Sequence, residues 1–141
     1  MLAGLLITQG CGKGSYKTKE KRIVRKMLVT GYDAGQKSTG WKRKWGLFFM
    51  PPVYAYGPNE GKRKEVGVTA DGTQAKKGVI AADITRYPYG TKMYVPGYGW
   101  GEVHDIGTAI KGDHIDLFFP SEKEAKKWGR KYLKVIILLR E

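Results

Sequence analysis

From Met27 onward, apolar residues come in short runs rich in β-branched and aromatic side chains, each cut off by glycine, proline or charge. Met27-Leu28-Val29-Thr30, Val66 to Ala70, Gly78 to Ala82, Thr91 to Val95, Trp100 to Asp105 and Ile115 to Phe119 read as strands. Asp71-Gly72, Pro88-Tyr89-Gly90 and Pro96-Gly97-Tyr98-Gly99 supply turn chemistry between them. The pattern changes once. Ser121 and Glu124 form a capping box, Gly129 gives a stop, and the stretch between them reads as a helix. The apolar run Leu133 to Leu139 then suits a last, central strand. Many short strands, Gly/Pro turns and one helix predict a small closed β-barrel.

The rest of the chain lacks this rhythm. Met1 to Gly12 opens with an apolar run of about eight residues, too short to span a bilayer. With Gly10 before Cys11, it is similar to the end of a bacterial lipoprotein signal, which makes Cys11 a lipidation candidate and a membrane anchor. Gly12 to Lys26 is polar and basic and reads as a linker or tail. Residues 1–26 are therefore set apart from a domain over 27–141. Within it, Tyr32 to Trp41 is a polar loop, and Lys42 to Glu65 alternates basic residues with Trp45, Phe48, Phe49, Tyr54 and Tyr56. Aromatic faces stack on sugar rings or bases, so this insertion reads as a groove wall or lid, or as a surface loop pinned by its aromatics.

A length of 141 residues fits one domain with a real core. The net charge of +13 is uneven: residues 1–66 carry 14 Lys and Arg against 4 acids, residues 67–141 carry 12 against 9. The basic excess favours polyanions, including anionic cell-wall polymers. No recognised nucleic-acid motif accompanies it. A single cysteine excludes an intramolecular disulfide and a cysteine-based zinc site.

The candidate chemistry lies in Val103 to Phe119, which holds Asp105, Asp113, Asp116 and both histidines of the chain, His104 and His114. Asp116 is set within Ile115-Asp116-Leu117-Phe118-Phe119, and burial among such residues raises a carboxyl pKa, as a general acid near neutral pH requires. The competing reading is a turn whose aspartates bond local backbone. His104, Asp105, His114 and Asp116 also form a candidate His/carboxylate metal set.

Three pieces together resemble the 3D domain, a family named for three aspartates and related to the membrane-bound lytic transglycosylases of bacterial cell walls. They are Gly67-Val68-Thr69-Ala70-Asp71-Gly72-Thr73; Ala81-Ala82-Asp83 followed by Tyr87 to Gly99; and Asp105-Ile106-Gly107-Thr108-Ala109-Ile110-Lys111-Gly112-Asp113-His114-Ile115-Asp116. Ala125 to Arg130 is similar to the family's helix, and Val29-Thr30-Gly31-Tyr32 with Ser38-Thr39-Gly40 to the strand and loop before it. The chain departs from the pattern at Thr108, commonly glycine, and at His104, commonly glutamate.

The resemblance implies a six-stranded double-psi β-barrel with one short helix near the C-terminus and the aspartates in one groove. Asp116 falls at the position of the single catalytic acid, with Asp105 and Asp83 beside it to raise its pKa and orient it or the sugar. Thr69 and Lys111 become candidate groove contacts, Lys111 equally a cation balancing the acids. The implied activity is lytic cleavage between N-acetylmuramic acid and N-acetylglucosamine in peptidoglycan, with a 1,6-anhydro product. It needs no metal and no other cofactor, and places the protein in the cell envelope, exported. The alternative is an expansin-like barrel that holds wall polysaccharide without cutting it.

Overall fold

The computed structural model describes residues 19–35, 40–42, 53–54 and 58–140. Cys11 and most of the aromatic insertion lie outside these residues. The strands are β1 (Glu20–Tyr32), β2 (Trp41–Lys42), β3 (Val53–Tyr54), β4 (Val79–Ala81), β5 (Lys92–Val95), β6 (Gly99–Asp105), β7 (His114–Phe118) and β8 (Lys131–Arg140), with the helix α1 (Glu122–Trp128) before the last. Six of them close into one barrel in the order β1-β7-β4-β6-β5-β8, while β2 and β3 form a separate ribbon. The barrel is mixed: β1 with β7 and β4 with β6 run parallel, and the remaining pairs run antiparallel. The predicted closed barrel with one late helix is thus what forms.

Alternation builds the core. Met27 and Val29 of β1, Ile80, Met93, Val95, Val103, Ile115, Leu117, Val135 and Ile137 all point inward and are fully buried. Burial of each such side chain contributes about 1.5–3 kcal/mol. At the helix, Ser121 Oγ accepts from the Glu124 N–H at 3.3 Å and donates to Glu124 Oε2 at 2.9 Å. Gly129 ends the helix at φ 73°. Phe119, Tyr98 and Trp128 pack ring on ring beneath α1.

Two sequence expectations change. The basic stretch read as a tail to Lys26 is strand from Glu20, because the apolar run of β8 needs a partner and finds it in β1, with Ile23 opposite Ile137 and Val24 opposite Ile136. The charged residues of that half of β1 stay on the solvent side. Conversely, Val66 to Ala70 is no strand: Val68 makes one isolated bridge to Gln74, and the segment folds into a turn. Turn chemistry prevails over β-branching there, with the Thr69 N–H donating to the Thr73 carbonyl at 2.8 Å and Gly67 at φ 80°.

Candidate functional site

Strand register assembles the site. Thr30 of β1 stands opposite Asp116 of β7, and Asp116 stands opposite Ala81 of β4. A register shift between Ile80 and Ala81 then sets Ala81 opposite Asp105 of β6. The row Thr30, Asp116, Ala81, Asp105 therefore crosses four strands, with the two acids on either side of a methyl group. At normal strand spacing the two acid-bearing backbones lie about 10 Å apart. Both acids line an open cleft of about 800 Å³. Beside the row, Tyr32, Val79, Ala81 and Phe118 form a second apolar cluster, with the Tyr32 and Phe118 rings edge-on at 5.5 Å. Tyr54, Arg63, Lys64 and Glu65 make one wall and the 67–70 turn another. The described part of the basic-aromatic insertion is thus a cleft wall.

The two acids differ in their surroundings. Asp105 accepts three hydrogen bonds: from the Tyr32 hydroxyl at 2.8 Å and from the Ala70 and Ile106 N–H groups at 3.0 Å each. Asp116 accepts one described bond, from the Thr30 hydroxyl at 2.9 Å. Burial pushes its carboxyl up to about 6, the charge of Asp105 adds to that, and the Thr30 bond opposes it. Tyr32, buried and bonded to Asp105, has its hydroxyl pushed far above the ordinary range. Lys64 sits over the Tyr54 ring at 4.9 Å; burial lowers its amine, and Asp105 pulls it back.

The other predicted residues take supporting places. Asp83, just past β4, stands outside the cleft lining and has no part in raising Asp116. It accepts from Thr85 Oγ1 at 2.7 Å and from the Gly112 N–H at 3.0 Å, so it ties the 105–113 loop to the end of β4. Gly112 meets it at φ 63°, a conformation costly for other residues. The Thr85 hydrogen bond, then the Gly112 N–H and Lys111, lower the Asp83 carboxyl. Lys111 itself is exposed and near Asp83, outside the cleft lining. Thr69 is buried in the cleft wall, its hydroxyl engaged with Asp71 at 2.7 Å and Thr73 at 2.8 Å.

The two histidines are held apart in function. His104 Nδ1 bonds Asp71 Oδ2 at 2.5 Å, pinning the 69–73 turn to β6. Burial pushes Asp71 up, but bonds from His104, Thr69 and Thr73 outweigh it and hold the carboxyl well below the usual range. His114 Nε2 bonds Thr30 Oγ1 at 2.9 Å. Among the described residues, no cluster of His, Cys, Asp and Glu is arranged to hold a metal ion. Thr30 and Tyr32 went unassigned in the sequence, although both sit in the Val29–Tyr32 stretch that carries the resemblance. Only their strand partners reveal which acid each serves.

Residues 78–139 match the 3D domain, a span that includes Asp83, Asp105 and Asp116. The chain is similar to the cell wall-binding protein YocH of Bacillus subtilis strain 168, 44% identical over 88 residues, 60% of this chain and 30% of that protein. It is also similar to YabE of the same organism, whose name describes cell wall shaping, 45% identical over 76 residues, 51% of this chain and 19% of that one. Among solved structures, the crystal structure of MltA from E. coli overlays with a TM-score of 0.45 and 22% identity, over 56% of this chain and 29% of the other. The chain thus spans less than a third of the length of each of these proteins.

Proposed function

Residues 78–139 are a 3D domain, and from that premise we propose that the protein is a peptidoglycan lytic transglycosylase acting in the cell envelope, with Asp116 as its acid and base. One observation carries the reading. Asp116 is a strand-borne, largely buried carboxyl with its pKa raised to about 6, lining an open cleft of about 800 Å³. A carboxyl so poised is protonated often enough near neutral pH to donate, and basic enough afterwards to accept.

The proton on Asp116 passes to the glycosidic oxygen as the bond from C1 to that oxygen breaks, its electron pair leaving with the N-acetylglucosamine side. The muramyl C6 hydroxyl attacks C1 of its own ring, and its proton passes to the Asp116 carboxylate. The acid is regenerated and a 1,6-anhydro ring closes. Because the nucleophile belongs to the substrate, no second catalytic carboxylate and no activated water are needed. Asp105, fixed by three donors, keeps the Asp116 proton bound until transfer, and its negative charge faces the positive charge that develops at C1. Ala81 leaves the space between the acids for the sugar. Arg63 and Lys64 in the wall suit carboxylates on the wall peptide or on anionic polymers.

A second reading, a barrel that binds wall glycan without cutting it, is favoured by the name of YocH as a cell wall-binding protein. Mass spectrometry of purified peptidoglycan incubated with the protein and with Asp116→Asn separates them. Anhydromuropeptides from wild type alone are expected. Reducing ends in their place overturn the mechanism, and sacculi bound without soluble product favour the second reading.

A further inference from the structure

The bond pattern around Thr30 extends the site one residue beyond the cleft. Its hydroxyl lies 2.9 Å from Asp116 Oδ1, 2.9 Å from His114 Nε2 and 3.4 Å from the Ile115 carbonyl. A hydroxyl has a single proton to give. When Thr30 gives it to Asp116, the Nε2 of His114 must be the donor to Thr30. We propose that His114 is a positioning residue for Asp116, its Nε2–H holding the Thr30 hydroxyl on Asp116 Oδ1 so that the acid proton sits on Oδ2.

The inference rests on the reading of Asp116 as the acid and base. Oδ1 is occupied as an acceptor, which leaves Oδ2 to carry the transferable proton. When that proton has gone to the glycosidic oxygen, the chain His114 N–H to Thr30 O–H to carboxylate is already aligned, and each bond in it strengthens the next. Burial lowers His114, as does the positive charge of Arg130, while the backbone of Ala109 acts in the other direction. Burial thus favours the neutral ring, which has a single N–H, and the chain to Asp116 requires that proton on Nε2 rather than committed to the Ala109 carbonyl. Facing Asp116 from the other strands are Asp105 on β6 and Tyr32 on β1, with Lys64 near Asp105. The Tyr32 hydroxyl is committed to Asp105, so Thr30 is the described donor to Asp116 and His114 is what aims it.

Without His114, the Thr30 hydroxyl has a competing acceptor in the Ile115 carbonyl, and Asp116 loses a bond that favours its charged form. Its pKa then rises. The test is a carbon-detected NMR titration of the Asp116 carboxyl in wild type, Thr30→Val, His114→Phe, His114→Gln and the double Thr30→Val/His114→Phe. Phe at 114 and Val at 30 are each expected to raise the Asp116 midpoint by about one unit, the double variant by no more than Val alone, and Gln, which keeps a donor at the ε position, to restore it. The pH profile of anhydromuropeptide release moves with the midpoint, in kcat and not KM. An unchanged midpoint in His114→Phe, or additive shifts in the double variant, overturns the inference; Thr30→Val serves if His114→Phe does not fold. Absence of anhydro product from wild type would refute the acid and base reading separately, since the titration needs no turnover.

Discussion

Replacing Asp116 by Asn should make the protein more stable, by an amount that depends on pH in one direction only. The native carboxyl titrates near 6 against an ordinary value of 3.8, because burial and the charge of Asp105 disfavour ionisation. Below about pH 4 both native and unfolded chains hold the proton, and the group contributes nothing to the difference. Between about 4 and 6 the native state keeps a proton that the unfolded chain has lost, so stability falls as pH rises. Above about 6 both are ionised and the loss levels off. Roughly two pKa units correspond to about 3 kcal/mol. The asparagine amide keeps an acceptor for the Thr30 hydroxyl and carries no charge, so it removes this penalty without opening a cavity. Urea unfolding of wild type and Asp116→Asn at a series of pH values reads the effect, since titrating groups remote from Asp116 cancel in the difference. The expected gain is near zero at pH 4 and about 3 kcal/mol at pH 8, a midpoint shift of about 1.5 M for a urea slope near 2 kcal/mol/M. A difference that stays flat across that range would refute the claim that Asp116 is held in its acid form by its surroundings. A variant that gains stability while losing product release would show a functional group retained at the expense of the fold.

Further outcomes follow from the same contacts. Release of anhydromuropeptides should fall as pH rises through about 6, where Asp116 gives up its proton, and an activity still climbing there would count against it as the donor. Asp83→Ala should free the Gly112 N–H and loosen the 105–113 loop, lowering kcat about tenfold to a hundredfold while the Asp116 carboxyl titrates unchanged; full activity would exclude the loop role. Gly101→Ala would place a Cβ 2.7 Å from the Gly78 carbonyl oxygen and 2.7 Å from Ile80 Cδ1, and should cost about 3 kcal/mol in urea unfolding because a backbone atom cannot yield cheaply. A neutral result there would mean that β4 and β6 separate more easily than their pairing suggests.

Much of the site can be read in the chain itself, for local reasons. Asp116 declares itself by being an acid inside Ile115-Asp116-Leu117-Phe118, since a strand that buries its neighbours also withdraws water from its one carboxyl. The helix is equally local, fixed by Ser121, Glu124 and Gly129 within one capping geometry. The 67–73 segment shows the limit of such reading: its β-branched residues suggest strand, but the bonds Thr69 makes with Asp71 and Thr73 close it into a turn.

What only the tertiary structure decides is which residues stand opposite one another. Glu20 to Lys26 carries no core pattern of its own and becomes strand because β8, more than a hundred residues later, offers an unpaired edge. The bulge between Ile80 and Ala81 brings Asp105 into line with Asp116, and nothing in Val79-Ile80-Ala81 announces it. Asp83, equal to the other two aspartates as a letter in the sequence, turns out to brace a loop while Asp105 faces the acid. Thr30 meets His114 and Asp116 across a parallel pairing spanning more than eighty positions. Composition and periodicity act over a few residues and determine elements, turns and the buried acid. Register and closure are collective choices of the whole barrel, and they determine which acids share the cleft, which one braces a loop and which groups reach Asp116.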